Sequence, residues 1–494
     1  MKKLIGGLDL GTTGCKVTVF TEDGKRLGRE YFDYPVRRGQ TAHEIDASAI
    51  AEGVFTVLSA ASRRFGPLSG LGVTSFGEAF VLVDDEGRPL RPILLCTDTR
   101  GAEECQEFAE RFGADNVARI AGVKPNEMYS LPKLLWIRRH EPELFARVRH
   151  ILLIEDYVVW LLTGDCRIDY SLATRTMAFD VRALAWSREI LDAAGLPESL
   201  FSTPIPTGSV AGRVHTVATA RTGLPAGTPV VVCGHDQVAA AAGAGVFEPG
   251  VAADGSGTVE CITPVFGAVP ETTRFQDDHY CVVPYFGQYV SYAFLHTGGV
   301  LLQWCVETLC KKALADAKAA GTSVYAALEG GDYAPTGLLV LPHFAGAATP
   351  HMDSGARGAI VGLSLGTTER DLYLACLEGI AYELRLNRDR LARSGIRVDR
   401  LVATGGGAKS RLWTQIKADI LDLPIDALET EDAGTVGCAM MTGVAIGAFS
   451  DLAAAASVLV RKVSTFLPNP ARTAEYDRLY TRYERLYDAV RPLV

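Results

Sequence analysis

The chain opens on a short apolar run, Leu4–Leu10, broken by two glycines and Asp9, and passes into Gly/Thr-rich residues. Apolar and polar positions then alternate from Lys16 to Phe20, the period-two signature of a half-buried strand. Glu22-Asp23-Gly24-Lys25 supplies an Asp-Gly turn, so the opening reads strand, Gly/Thr turn, strand, turn, strand. Between Asp46 and Arg64, Ile50, Val54, Val57, Leu58 and Ala61 fall on one helical face. Leu71–Thr74 and Phe80–Val83 return to strand character, with Asp85-Glu86-Gly87 as the next turn. Strands alternating with helices of this length predict an α/β fold.

Near residue 250 the pattern restarts. Val246-Phe247-Glu248-Pro249-Gly250 reads as a linker, and VAADGSGTVECITPVF after it repeats the apolar entry, the aspartate, the Gly/Thr turn and the alternating strand. Asp9-Leu10-Gly11-Thr12 and Asp254-Gly255-Ser256-Gly257-Thr258 look like two copies of one unit. A chain of 494 residues needs more than one core, because single cores stop growing at roughly 250–300 residues. The expectation is two related α/β halves, 1–247 and 248–494, with both Gly/Thr turns on a shared cleft. Further on, Thr368-Glu369-Arg370-Asp371 has the form of a capping box opening a long helix to Arg393. Tyr476, Leu479, Tyr480, Tyr483, Leu486, Tyr487 and Val490 predict a C-terminal helix docked on the body.

Composition narrows the classes. Hydrophobic residues at 48% and charged residues at 22% describe a folded globular chain, not a disordered one. A net charge of −9, with no basic–aromatic patch, argues against nucleic-acid binding. No run approaches the ~20 apolar residues of a membrane span, and the Lys2-Lys3 start meets Asp9 before any signal-like apolar core forms. The 11 cysteines form no CxxC pair, which suits free thiols in a reducing compartment. These features predict a cytoplasmic protein with no membrane or nucleic-acid partner.

Several stretches carry candidate chemistry. In Asp9-Leu10-Gly11-Thr12-Thr13-Gly14-Cys15-Lys16, the Gly/Thr turn lets backbone N–H groups converge on an anion, Lys16 adds positive charge, and Asp9 is suited to a hydrated Mg²⁺. Cys233-Gly234-His235-Asp236-Gln237 ends an apolar strand, so Asp236 sits at the carboxyl edge where α/β sheets bind ligands and could accept a hydroxyl proton. A helix N-cap is the competing role for Asp236. The small-residue run Ala239–Gly245 would let the following helix pack closely against a neighbour. Thr404-Gly405-Gly406-Gly407-Ala408-Lys409-Ser410 is not a P-loop, since Ala403 and Ala408 occupy its glycine positions; it reads as a glycine turn that lets backbone approach a nucleotide. Gly362-Leu363-Ser364-Leu365-Gly366 matches a hydrolase nucleophile elbow, but no histidine follows Ser364, as that triad order requires.

Taken together, these stretches resemble the FGGY carbohydrate kinase family. Met128-Tyr129-Ser130-Leu131-Pro132-Lys133-Leu134-Leu135-Trp136 matches one family signature, and GAIVGLSLGTTERDLYLACLE from Gly358 to Glu378 matches the other. The Gly/Thr turns, GHDQ, TGGGAKS and EDAGTVGCAMMTGVAIGAF follow in family order, over roughly Leu4–Phe449. The resemblance implies two actin-like, ribonuclease-H-like domains around a catalytic cleft, and ATP-dependent phosphorylation of a sugar or polyol with Mg²⁺. It implies phosphate turns at Gly11, Thr12, Thr13 and Lys16 and at Gly257 and Thr258. It further implies an adenine-nucleotide turn at Gly405, Gly406, Gly407, Ala408 and Ser410, Asp236 as general base, and Asp9 with Asp236 near the metal. Family members are often dimers, so a homodimer is expected.

The substrate loop is Thr74-Ser75-Phe76-Gly77-Glu78-Ala79, where Glu78 fits the glutamate of a glycerol-kinase Arg-Glu pair and Gly77 replaces the arginine. Ser75, Phe76, Glu78, Gln237 and Asp98, the last within Thr97-Asp98-Thr99-Arg100, are the substrate-binding candidates, and Cys96 stands where the family usually has Trp. The alternative to a kinase is a non-catalytic ATP-binding sensor or assembly protein of the actin-like fold.

Overall fold

The computed structural model describes residues 2–39, 42–271, 273–430 and 432–494. Its first lobe is organised by a six-stranded sheet. The predicted opening folds as β1 (Leu4–Leu10), β2 (Gly14–Thr21) and β3 (Arg26–Asp33), an antiparallel meander. Helix α1 (Ala47–Phe65) covers one face, with Asp46 accepting from Ser48 N–H as its N-cap. β4 (Gly70–Ser75) pairs parallel with β1, β6 (Pro229–His235) pairs parallel with β4, and β5 (Val210–Arg213) closes the edge antiparallel to β6. The order is therefore β5-β6-β4-β1-β2-β3, with helix α2 (Asp236–Gly243) leaving the carboxyl end of β6.

The second lobe repeats this plan. β7 (Gly250–Ser256) and β8 (Glu260–Phe266) form the antiparallel hairpin predicted from the restart of the pattern. β9 (Val398–Thr404) runs parallel to β7, β10 (Ile425–Leu428) parallel to β9, and β11 (Lys462–Phe466) antiparallel to β10. Strand for strand, β7, β8, β9 and β10 answer β1, β2, β4 and β6. Helix α3 (Ala433–Ala445), which follows β10, answers α2. The long helix predicted from its capping box spans Glu369–Arg393, and both arms of the box form between Thr368 and Asp371. The C-terminal tyrosines dock as expected, with Tyr476, Tyr480 and Tyr483 buried, but the helix stops at Tyr483 and a short second one resumes at Leu486–Val490.

The lobes meet where α2 crosses α3. A Cβ built on Gly243 would lie 1.8 Å from the Ala433 carbonyl oxygen, and one on Gly437 would lie 1.9 Å from the Ala239 carbonyl oxygen. No side chain fits there, so the two backbones touch directly, the use that the small-residue run Ala239–Gly245 suggested. α3 also lies against the first lobe's sheet, where Gly7 faces the Thr435 carbonyl and Gly72 faces Thr442 and Cys438. Among the described residues no helix is long and apolar enough to cross a membrane.

The crossing predicts the effect of Gly437→Ala. The added methyl meets backbone, which cannot yield as a side-chain tip can, so the loss of stability is expected at about 3 kcal/mol, the upper end for overpacking. Urea unfolding measures it; a variant as stable as the wild type would contradict the contact.

Candidate active site

The first turn, Gly11-Thr12-Thr13, joins β1 to β2. Gly11 N–H donates to Gly14 O at 2.9 Å, Tyr34 N–H donates to Thr13 O at 3.1 Å, and the Tyr34 hydroxyl bonds the Gly11 carbonyl. The turn's carbonyls are thus taken from behind, while the Thr12 and Thr13 amides make no hydrogen bond among the described residues. Directly below, Asp9 and Lys16 are register partners across the hairpin. Lys16 Nζ lies 3.1 Å from Asp9 Oδ2 and 2.9 Å from Asp432 Oδ1. Asp432 belongs to the second lobe, so this lysine ties the lobes together. Burial, with help from the neighbouring carboxylates Asp432 and Asp236, lifts the Asp9 carboxyl to about 6 in spite of Lys16.

The second turn is built the same way. Gly298 and Gly299 N–H donate to the carbonyls of Thr258 (3.0 Å) and Gly257 (2.8 Å). Gly257, Thr258 and Val259 are exposed at the tip, and the Thr258 amide is unengaged among the described residues. Beneath it, buried Lys417 bonds Asp254 at 2.9 Å, Ser256 at 2.6 Å, and Glu260. The glycine triplet adjoins this turn: Gly405, at φ +89°, would bring a Cβ within 2.4 Å of the Ser256 carbonyl. Above Gly406 a Cβ would meet nothing within 4 Å, so open space lies over the turn. Gly407-Ala408-Lys409 form one 3-10 turn. The Ser410 hydroxyl is committed locally, capping the helix Arg411–Leu421 by accepting from Trp413 N–H at 3.0 Å and donating to Glu329 at 2.7 Å.

Asp236 reaches the cleft by a break in register. β6 leaves its pairing with β4 between Val232 and His235. The freed amides of Cys233 and Gly234 donate to buried Glu155 at 2.9 and 2.7 Å, and His235 N–H donates to Ser171 Oγ at 2.9 Å. Such bulges re-aim the residue that follows. The N-cap of α2 is His235, whose Nδ1 accepts from Gln237 N–H at 3.2 Å, so Asp236 is the first helical residue and does not cap. Its side chain is 36% exposed, and its buried Oδ1 lies 3.0 Å from His235 Nδ1. Burial raises its carboxyl, but the His235 ring, the Gln237 N–H and the Arg175 guanidinium outweigh this and hold it below its ordinary value. Asp236 is therefore ionised at neutral pH. The Gln237 side chain is partly exposed and makes no hydrogen bond among the described residues.

The substrate loop differs from its sequence reading in detail. Glu78, at φ +65°, turns inward and binds Arg175, whose Nε donates to Oε1 at 2.6 Å; both side chains are buried. Arg175 also lies over the rings of Tyr129 (5.0 Å) and Tyr292 (5.4 Å), and its Nη1 has no partner among the described residues. A Cβ on Gly77 would come within 2.9 Å of Arg175 Cγ and 2.8 Å of His235 Cδ2, which is why no larger residue stands there. Ser75 is fully buried with its hydroxyl on the Phe76 carbonyl, and Phe76 packs into the core. Asp98 is buried and binds Arg100, at 2.9 Å through Oδ1 and 2.6 Å through Oδ2, and His43 N–H at 2.8 Å. Cys96 is partly buried next to the charges of Glu78, Lys133 and Arg175, with its thiol raised to about 11 by burial.

Sequence reasoning did not single out Asp432 or Arg175. Asp432 directly precedes a helix in a recognised stretch whose first residue, Glu431, lies outside the described residues. Arg175 is the lone charge in the run Ser171–Phe179, the kind of isolated cation that burial must pair.

Comparison with known proteins bears on the whole chain. The model for the N-terminal domain of the FGGY family of carbohydrate kinases matches residues 4–243, and that for the family's C-terminal domain matches residues 264–446. A xylulose kinase of Lactococcus lactis is 30% identical, over 97% of this chain and 96% of that protein. A glycerol kinase of Symbiobacterium thermophilum is likewise 30% identical, over 99% of each. The crystal structure of a xylulose kinase from Rhodospirillum rubrum superposes with a TM-score of 0.89 at 28% identity, covering 99% of both chains. With both halves matched in order and the fold shared end to end, this chain belongs to the FGGY family of carbohydrate kinases.

Proposed function

We propose that in this carbohydrate kinase Asp236 is the general base that accepts the proton of a sugar or polyol hydroxyl as that hydroxyl attacks the γ-phosphorus of ATP. The observation that carries the reading is the Asp236 carboxylate itself: ionised, partly open, and placed at the carboxyl end of β6. Phosphoryl transfer asks the protein mainly for in-line positioning and for stabilisation of charge on the phosphoryl oxygens. The free amides of Thr12, Thr13 and Thr258 would supply donors from the two lobes, and the open space above Gly406 would take the adenosine. Gln237, Arg175 through Nη1, and Glu78 would orient the substrate hydroxyls. Lobes 1–247 and 248–494 would close about Phe247, whose carbonyl accepts from Gln288 at 2.7 Å, and so exclude water.

The residues fit a divalent cation. Asp9, Asp236 and Asp432 gather negative charge there; burial chiefly, and then the two neighbouring carboxylates, lift Asp9 to about 6 against Lys16. No three such side chains converge among the described residues, so an ion here would have to complete its shell with phosphate oxygens and water. When bound, the ion would neutralise phosphate charge, with Asp9 and Asp236 holding it through water.

The similarity to xylulose kinases makes a ketopentose the first substrate to try; the matched glycerol kinase keeps small polyols beside it. The non-catalytic alternative has no support in these matches. The 11 free cysteines are consistent with a reducing, cytoplasmic setting.

A coupled ADP-release screen over pentuloses, hexuloses, pentitols, tetritols and glycerol is expected to show one class raising the rate above the sugar-free background; no stimulation by any of them would overturn the kinase reading. Asp236→Asn is expected to lower turnover about 10²- to 10⁴-fold, the usual share of a general base, with nucleotide affinity nearly unchanged. Near-normal turnover in that variant would remove Asp236 from the role.

Asp9 yields a stability test. Its carboxyl is raised in the folded state, so the ionised form destabilises the ligand-free protein at neutral pH, and stability is regained as pH falls through about 6. Asp9→Asn should therefore be more stable than the wild type at pH ~7.5, by about 1–3 kcal/mol at 1.36 kcal/mol per pKa unit, while losing activity. The difference should shrink toward pH ~5. Thermal melts across that range check it, and a variant less stable at neutral pH would contradict it.

A further inference from the structure

Beyond Lys16 and Asp432, which it shares with the catalytic cleft, a groove of roughly 960 Å³ runs between the lobes along one face of β2 and β3. Strand register explains its charge. Lys16, Thr18 and Phe20 alternate onto one face of β2; Arg29 stands opposite Thr18 and Arg26 opposite Phe20, so both arginines join that face. Lys25 extends the row at the hairpin turn. The facing wall comes from the second lobe: Glu429, Thr430, Asp432, Val436, Leu459 and Arg461.

The lobes touch at both ends of the groove. At the inner end Lys16 pairs with Asp432 at 2.9 Å. At the outer end Gly24 abuts Val458, where a Cβ would come within 2.7 Å of its carbonyl oxygen. The anions that line the groove already have partners. Asp23 binds Lys2 at 2.7 Å, Asp432 binds Lys16, and Glu429 lies 3.8 Å from Arg461. Lys25, Arg26 and Arg29 have no carboxylate within ion-pair distance among the described residues, although the chain as a whole carries a net charge of −9. Like charges gathered on one hairpin face repel each other. Arginine forks match phosphate oxygens bidentately, and the volume exceeds what a single phosphate needs.

We infer that this groove is a second ligand site, adjoining the first phosphate turn at Lys16 and Asp432 but held by Lys25, Arg26, Arg29 and Arg461, that binds a small molecule carrying two or more phosphoryl groups. Arg26, Arg29 and Lys25 hold the phosphates from the first lobe, and Arg461 meets them from the second. A ligand seated there touches both lobes and so resists their movement relative to one another. The site rests on the groove's geometry alone and does not depend on Asp236 being the base.

The test is calorimetric titration of the full chain with inorganic tripolyphosphate, in the presence of a saturating non-hydrolysable ATP analogue that fills the cleft. Saturable binding that weakens at least tenfold in an Arg26→Ser/Arg29→Ser double variant, but persists in an Arg37→Ser/Arg38→Ser control carrying the same charge loss elsewhere, supports the site. All four arginines are exposed, so neither variant threatens the fold. Binding abolished by the analogue, binding unchanged in the Arg26/Arg29 variant, or equal weakening in the control would each overturn the proposal.

Discussion

The cleft depends on a contact between two backbones. α2 and α3 come from opposite lobes and cross where Gly243 and Gly437 leave no side chain between them. Each helix starts at the site: α2 with Asp236, and α3 immediately after Asp432. The crossing therefore sets where both carboxylates emerge relative to Asp9 and Lys16 on β1 and β2. Because protein interiors are close-packed, the helices cannot drift apart gradually, and the contact that joins the lobes also aligns the chemistry.

Buried charge performs a related task within each lobe. Glu155 takes the amides that β6 gives up at its bulge, and this turns Asp236 out of the sheet. Lys417 holds Asp254 and Glu260 beneath the second turn; burial, against the pull of Lys417 and with the push of Asp254, keeps Glu260 well above its usual range. Arg175 pins Glu78 in a left-handed backbone conformation. Buried ion pairs contribute little net stability once desolvation is counted. In this protein they fix loops that backbone pairing has left without partners.

Much of this was legible in the sequence because it is local. The Asp-Gly turn, the restart after Phe247, the capping box at Thr368 and the small-residue run after Asp236 each act within a few residues, and each appears where its chemistry predicted. The remainder depends on partners distant in the chain. Asp98 and Arg100 read as a substrate motif, yet they bind each other. Ser410 sits in a glycine-rich turn, yet its hydroxyl caps the next helix. Phe76 reads as a substrate-binding candidate and packs into the core. Arg175 lies 97 residues from Glu78, and no local pattern links them. The tyrosine stripe of the tail gave the buried face correctly but not the break after Tyr483, since helical spacing carries through a short interruption.

The central claim is that one carboxylate reaches a bound alcohol while amides from both lobes hold the phosphate tail. A crystal structure with a non-hydrolysable ATP analogue and the sugar that stimulates ADP release tests it most directly. The account predicts the terminal phosphate between Thr12-Thr13 and Thr258, adenosine over Gly406, and a substrate hydroxyl within hydrogen-bond distance of Asp236. A hydroxyl lying against a different side chain, with Asp236 turned out of the cleft, would contradict it.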